Sequence, residues 1–242
     1  MNKRPKEELQ KLFSEALVNH QKGLFDKAEE KYKKILKINP KSDVVNNNLG
    51  LIYLSSSKKD LASTFFLKAI EINPNYLEAY NNLASLSNEL GQYEKSIDYS
   101  KKALNMNPVF FNSLYNIAFS YGRINEKEKE IDFYKKALEI NPQHFGSLFN
   151  LGLAYYEIGE TKSSINYFKK ANLINPEHIE TKDNLACALL RHKDFQDGFD
   201  LFDARLKKTK FLNTVNNYNL KKLWQGQNLD NSTILILSEQ GL

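Results

Sequence analysis

The sequence predicts an all-α chain of about six repeated helix–turn–helix units, followed by a short linker and one β-strand. Three observations predict this fold class. Five of the six prolines, from Pro40 to Pro176, stand 34 residues apart, and a repeat of that length indicates an array of stacked units. Each of them closes a near-identical tripeptide, which is Ile-Asn-Pro in four copies and Met106-Asn107-Pro108 in the fifth. Between the prolines, apolar residues recur on one helical face.

Small and aromatic residues keep fixed positions within the unit. Small residues where two helices cross allow a close approach, and aromatic residues fill the layer between helix pairs. Glycine recurs at the bend between the two helices, where it tolerates positive φ. The unit that ends at Pro74 has Leu49-Gly50, Tyr53, Ala62, Phe66 and Ala69 at these positions. Ser87, Glu130 and Gly198 are exceptions to the columns in other units.

This pattern resembles the tetratricopeptide repeat (TPR), a helix–turn–helix unit of 34 residues with the same residue types at the same offsets. The resemblance runs from about residue 9 to residue 212, and it implies a right-handed superhelix of stacked helix pairs. Residues 1–8 are a polar lead-in. The expected repeats are 9–42, 43–76, 77–110, 111–144, 145–178 and 179–212, the last of them degenerate.

The periodic signal ends near residue 212. In the sixth unit, Arg205 stands where alanine recurs and Lys210 where proline recurs. Residues 213–232 have no helical period and are predicted to form a linker. Residues 233–242 begin with an apolar, β-branched run and end in a glycine turn, which predicts one strand and a loop. Because one strand cannot form a sheet, we expect the chain to stop just inside a second domain.

Three motifs follow one another near the end of the sequence: Gly198-x-x-x-Phe202-x-x-Arg205, Trp224-Gln225-Gly226 and Glu239-Gln240-Gly241-Leu242. This ending resembles a group of bacterial proteins in which such repeats precede a glycosyltransferase domain of the GT-B type, similar to O-GlcNAc transferases or heptosyltransferases. The resemblance implies that the repeats present acceptors to a catalytic domain beyond residue 242, which alone would bind a nucleotide sugar. The alternative is a free-standing adaptor that assembles a protein complex, with Trp224 and the strand as a cap.

Composition argues against several other classes. The net charge is +5, but lysine and glutamate are interspersed, so we expect solvated helix faces and no nucleic-acid partner. The single cysteine, Cys187, excludes an internal disulfide, and the dispersed histidines predict no metal site and no cofactor. No apolar run approaches the roughly 20 residues of a membrane span, and the first residues do not read as a signal peptide. We expect a non-catalytic, cytoplasmic chain without a membrane partner.

The candidate binding residues form a regular polar column with aromatic residues beside it. In TPR proteins the first helix of each repeat lines a concave groove, so the resemblance implies that this groove binds extended peptide or protein segments. An asparagine amide can pair with both edges of a peptide group, and aromatic residues can anchor a ligand. The other interpretation is that the amides are merely solvated and that some of the aromatic residues are buried between repeats. The residues are Asn48, Asn82, Asn116, Asn150 and Asn184, with Tyr115, Phe119, Phe149 and Tyr156.

Overall fold

The structure, a computed structural model, describes residues 3–206, with side chains from residue 7 to residue 201. The described residues form α-helices joined by short turns and contain no strand, so the all-α class is confirmed for them. The linker predicted at 213–232 and the strand predicted at 233–242 lie outside the described residues. The helices are α1 (Lys3–Gln21), α2 (Phe25–Ile38), α3 (Asp43–Ser55), α4 (Lys59–Ile72), α5 (Leu77–Glu89), α6 (Tyr93–Met106), α7 (Phe111–Arg123), α8 (Lys127–Ile140), α9 (Phe145–Glu157), α10 (Thr161–Ile174), α11 (Ile179–Arg191) and α12 (Phe195–Leu206).

The chain divides into two compact units, Met1–Ala154 and Tyr155–Leu242. We call the odd-numbered helices first helices and the even-numbered helices second helices. In the first unit, each first helix from α1 to α7 packs against the second helix that follows it, and the second helices α2, α4 and α6 each pack against the next first helix. The first helices α5 and α7 also contact each other directly. In the second unit, α11 packs between α10 and α12.

The Asn-Pro pairs end the second helices. From α2 to α10, each second helix stops one residue before the asparagine, whose φ lies between −129° and −140°. A following proline disfavours helical geometry in the residue before it, which explains these extended values. The asparagine N–H still donates to the carbonyl four residues earlier, so the last turn is closed.

One aromatic ring forms the centre of the core in each of four repeats. Tyr32, Phe66 and Phe168 are fully buried, and Tyr134 is 1% exposed. Small residues on the facing first helix make room for the rings, since a Cβ added to Gly50 would lie 2.5 Å from the ring of Phe66. The third repeat has Ser100 in place of the ring, and it is also fully buried.

Two exceptions in the small-residue columns are compensated by their neighbours. Glu130 is 6% exposed and replaces a small residue, and Gly122 opposite it has no side chain, so that a Cβ there would lie 2.4 Å from the Glu130 carboxylate. Lys127 donates to that carboxylate at 2.9 Å, which satisfies the buried charge. In the second unit the large residue is on the first helix and the residue without a side chain is on the second helix. There Gly198 of α12 makes room for the Leu190 side chain of α11.

Lysines of the second helices lie over aromatic rings. Lys68 Nζ is 4.9 Å from the ring centre of Phe65, and Lys136 Nζ is 4.9 Å from that of Phe133. Such cation–π contacts shield half-buried rings from water while the ammonium group stays solvated. Part of the basic excess of this chain therefore contributes to packing of the second helices.

The bends between paired helices require a left-handed residue. Gly23, Gly91 and Gly159 have φ of 72°, 71° and 85° there, as the sequence predicts. The same conformation is adopted by Ser57 (φ 59°), Asn125 (φ 62°) and Lys193 (φ 68°). A side chain at such a position costs about 1 kcal/mol, so these three bends store local strain.

We predict that Gly91→Ala lowers the free energy of unfolding by about 1 kcal/mol. An added Cβ would meet no atom within 4 Å, so backbone conformation alone produces the effect. Ser57→Gly is the reverse change and is expected not to destabilise the protein. Urea unfolding followed by circular dichroism measures both, and equal effects of the two substitutions would contradict the prediction.

Candidate functional site

The asparagine column, Asn48, Asn82, Asn116, Asn150 and Asn184, lies on the first helices α3, α5, α7, α9 and α11. All five occupy the same position in their helices, 34 residues apart. Four of the side chains are half-buried, and Asn116 is 8% exposed. As a group, the amides of the column are therefore neither fully solvated nor fully buried.

Two of the amides are hydrogen-bonded to asparagines of the preceding repeat. Asn82 Nδ2 donates to Asn47 Oδ1 at 2.8 Å, and Asn116 Nδ2 donates to Asn81 Oδ1 at 3.1 Å. In both cases the acceptor is 35 residues earlier, on the neighbouring first helix. These bonds link α3 to α5 and α5 to α7.

The other two amides of the first unit use tyrosine hydroxyls. Asn48 Nδ2 donates to Tyr32 Oη at 3.2 Å, and Asn150 Nδ2 donates to Tyr134 Oη at 3.0 Å, each 16 residues earlier. Asn150 Nδ2 also lies 3.4 Å from Tyr115 Oη, its acceptor 35 residues earlier. Burial raises the pKa of all three tyrosines, so their hydroxyls remain protonated at neutral pH.

Each amide of the first unit thus has an acceptor at one of two positions. Phe66 lies 16 residues before Asn82 and offers no hydroxyl, but Asn47 supplies the acceptor. Phe13 lies 35 residues before Asn48 and offers none, but Tyr32 does. In the second unit, the residue 16 positions before Asn184 is Phe168, which has no hydroxyl.

The hydrogen bonds leave part of each amide available. Among residues 7–201, no group donates to the Oδ1 of Asn48, Asn82, Asn116 or Asn150. In Asn48, Asn82 and Asn116 the Nδ2 also keeps a second N–H, whereas both N–H groups of Asn150 are directed at tyrosine hydroxyls. One acceptor per repeat, with a donor beside it in three of them, is held in place by the inward bonds and is available to a peptide backbone.

Tyr115 packs between repeats rather than lying open. Its ring centre is 5.7 Å from that of Tyr134, 6.3 Å from that of Phe111 and 5.1 Å from that of His144. The alternative that aromatic residues are buried between repeats therefore describes Tyr115 in large part. Its hydroxyl marks the polar end of this cluster, next to Asn150.

The other candidate aromatic residues have different surroundings. Phe149 stacks on Phe145, with ring centres 6.0 Å apart, and Phe119 is half-buried one turn after Asn116. Tyr156 belongs to the second unit, where the Arg191 guanidinium lies 5.0 Å from its ring centre and donates to its backbone carbonyl at 2.9 Å. The guanidinium covers one face of that ring.

His144 caps the N-terminus of α9 beside this cluster. Its Nδ1 accepts from the backbone N–H of Ser147 at 3.0 Å, so the ring must be unprotonated at Nδ1. The ring lies 4.7 Å from that of Phe111, and burial lowers the pKa of His144. Sequence reasoning missed this cap because histidine is not a usual N-cap residue.

A further polar network joins α5 to α7. Asn88 Nδ2 donates to the Asn116 carbonyl at 3.3 Å, and Ser120 Oγ donates to Asn88 Oδ1 at 2.7 Å. Ser120 is fully buried. This network fixes the turn of α7 that carries Asn116, and nothing in the repeat pattern indicated it.

An open cavity of about 510 Å³ lies at the start of the array. Its apolar wall comes from α1 and α3 and from the end of α2, and consists of Leu9, Phe13, Ile35 and Val45. Uncharged polar groups complete the rim, including Ser42, the N-cap of α3. The repeat pattern does not by itself predict this cavity, but one signal is visible in the sequence: Ser42 stands at a position that is aromatic or histidine in the later repeats.

The described residues contain neither a potential metal cluster nor a helix suited to cross a membrane. No cluster of three or more histidine, cysteine or acidic side chains between residues 3 and 206 could hold a metal ion. None of the helices in the same range combines the length and hydropathy that a bilayer crossing needs.

Comparisons with known proteins identify the repeats. Two models of the tetratricopeptide repeat match, one at residues 45–76 and 111–144 and the other at residues 65–98 and 133–165. Among solved structures, MamA is 26% identical, with 72% of this chain and 96% of that chain covered and a TM-score of 0.62. No curated protein matches the sequence.

Two further solved structures share the fold at lower identity. YrrB, described as a TPR protein with an unusual peptide-binding site, is 16% identical, with 80% of this chain and 100% of that chain covered and a TM-score of 0.67. PilF of Pseudomonas aeruginosa is 16% identical, with 91% and 100% covered and a TM-score of 0.77. The helix pairs place the described residues in the class of helical repeat structures. Residues 45–98 and 111–165 of this chain are tetratricopeptide repeats.

We predict that Asn82→Ala lowers the free energy of unfolding by about 1 kcal/mol, because it removes a bond between repeats. Asn116→Ala should cost more, since Asn116 is buried. Asn166→Ala, at an exposed position within α10, is the matched control, because it shares the gain in helix propensity. Urea unfolding of the three variants tests this, and an Asn82→Ala result equal to that of the control would contradict it.

We predict that His144 makes stability depend on pH. Because burial lowers the pKa of His144 in the folded state, its contribution is complete above 6.5 and is lost as the pH falls from there through the folded pKa. Protonation also removes the acceptor for Ser147. His144→Asn keeps a cap that does not titrate, so the difference in Tm between wild type and His144→Asn should shrink on acidification. A constant difference would contradict the prediction.

Proposed function

We propose that the chain is a protein-interaction scaffold that binds an extended segment of another protein along its first helices. The observation that carries this proposal is the half-satisfied asparagine column. Asn48, Asn82 and Asn116 each use one N–H within the protein and keep Oδ1 and a second N–H, and Asn150 keeps Oδ1. A regular series of such groups pairs with a backbone, which has the same N–H and C=O groups in every residue.

The spacing of the column suits an extended peptide. Neighbouring helices pack about 8–10 Å apart, and an extended chain advances about 3.3–3.6 Å per residue. One asparagine therefore meets roughly every third residue of the ligand. Contacts of this kind read the backbone, so we expect broad acceptance of sequence along the column and selectivity only where side chains are held.

The comparisons support a scaffold role. Tetratricopeptide repeats match much of the first unit, and YrrB, with the same fold, is described as having a peptide-binding site. We accordingly expect a protein or peptide ligand and no chemistry from the repeats themselves.

A more specific version of this function is that the repeats present acceptors to a glycosyltransferase domain. It is supported only by the motifs around Gly198, Trp224 and Glu239, of which all but Gly198 lie outside the described residues. The alternative is a free-standing adaptor. The genomic reading frame after Leu242 distinguishes them: Gly-Asp followed by a GT-B domain supports the first, and a stop codon supports the second.

We predict that Phe119→Ala and Phe149→Ala each weaken peptide binding about tenfold, because half-buried aromatic side chains anchor ligands. The probe is a set of peptides selected from a random library against the full chain, with affinity measured by fluorescence anisotropy. Phe133→Ala is the matched control, a half-buried phenylalanine on the second helix α8. Failure to select any peptide would refute the proposed function. Losses confined to Phe133→Ala would refute its location.

A further inference from the structure

The cavity at the start of the array exists because one residue is small. The residue two positions after each repeat proline directly precedes the next first helix, and in later repeats it carries a ring. His144 is the example with direct contacts, since its ring packs on Phe111 at 4.7 Å and on Tyr115 at 5.1 Å. The residues at this position are Ser42, Tyr76, Phe110, His144 and His178.

By repeat register, Leu9 and Phe13 are the residues against which a ring at position 42 would pack. They occupy the positions of Phe111 and Tyr115 three repeats earlier. Ser42 caps α3 through Oγ, which accepts from the Val45 N–H at 3.4 Å, but its side chain is too short to cover them. The space that His144 fills in its own repeat is therefore open here.

The wall of the cavity is more apolar than its counterparts in later repeats. Ile35 is 4% exposed and stands where the later second helices have alanine. Val45, on the other side, is 1% exposed. None of the lining residues is charged, in a chain with 26% charged residues. Charged groups therefore find no partner in this cavity, and an apolar group buries surface against it.

The cavity also continues the asparagine column. Ser14, on its rim, occupies the column position one repeat before Asn48. A peptide that pairs with Asn48 and extends towards α1 therefore reaches the cavity with its next residues. The volume of about 510 Å³ is typical of a ligand pocket.

We propose that this cavity holds a large apolar side chain of the peptide that binds along the first helices. This inference rests on the proposed function and adds a position at which the ligand is selected by its side chain. The asparagine column pairs with the peptide backbone, whatever its side chains are. The cavity then determines which residue of the peptide lies beside which asparagine.

The test fills the cavity without removing the cap. Ser42→His introduces the residue that caps α9 and α11, where the imidazole Nδ1 accepts from Ser147 N at 3.0 Å and from Thr181 N at 3.2 Å. Ser42→Thr keeps both the cap and the open cavity and is the matched control. The probe is the set of peptides selected from a random library against the full wild-type chain.

We expect the selected peptides to share one large apolar residue at a fixed position. Ser42→His should weaken their binding at least about tenfold, and Ser42→Thr should leave it unchanged, with equal Tm for both variants. Peptides that bind Ser42→His as tightly as wild type, while losing affinity for Phe119→Ala, would overturn the cavity inference and leave the proposed function intact. If no peptide is selected, the proposed function fails and this inference fails with it.

Discussion

The first-helix face depends on one constraint: a half-buried amide must find an acceptor for the N–H that it turns inward. The asparagine column meets this constraint in two ways, through a tyrosine hydroxyl 16 residues earlier or a polar side chain 35 residues earlier. Where the core ring is Phe66, the acceptor is Asn47. Where Phe13 offers none, Tyr32 does. The choice of core ring and the choice of neighbouring side chain are therefore coupled.

This coupling gives the amides two roles at once. One N–H joins neighbouring repeats, and it also prevents the amide from rotating. The remaining Oδ1 and N–H are then presented in a fixed orientation, which reduces the entropy lost when a peptide binds. A column of free, solvated asparagines would offer the same groups at a higher entropic cost. Stability of the stack and readiness to bind therefore come from the same side chains.

The helices were predictable from the sequence because local rules determine them. Proline ends the second helices, and glycine forms three of the six described bends within the helix pairs. The asparagine column was predictable as a column, but its hydrogen bonds were not, because they join residues whose distance depends on how repeats stack. The pairing of Glu130 with Gly122 and the cavity beside Ser42 have the same origin. Each results from a size change at one position that only its spatial neighbour explains.

The most direct test of this account is a crystal structure of the chain with a selected peptide. The account predicts that the peptide backbone pairs with Oδ1 and the second N–H of Asn82 and Asn116 and with Oδ1 of Asn150. The bonds from Nδ2 to Asn47, Asn81, Tyr115 and Tyr134 should remain in place. A peptide bound to the second helices, or one that breaks these inward bonds, would contradict it.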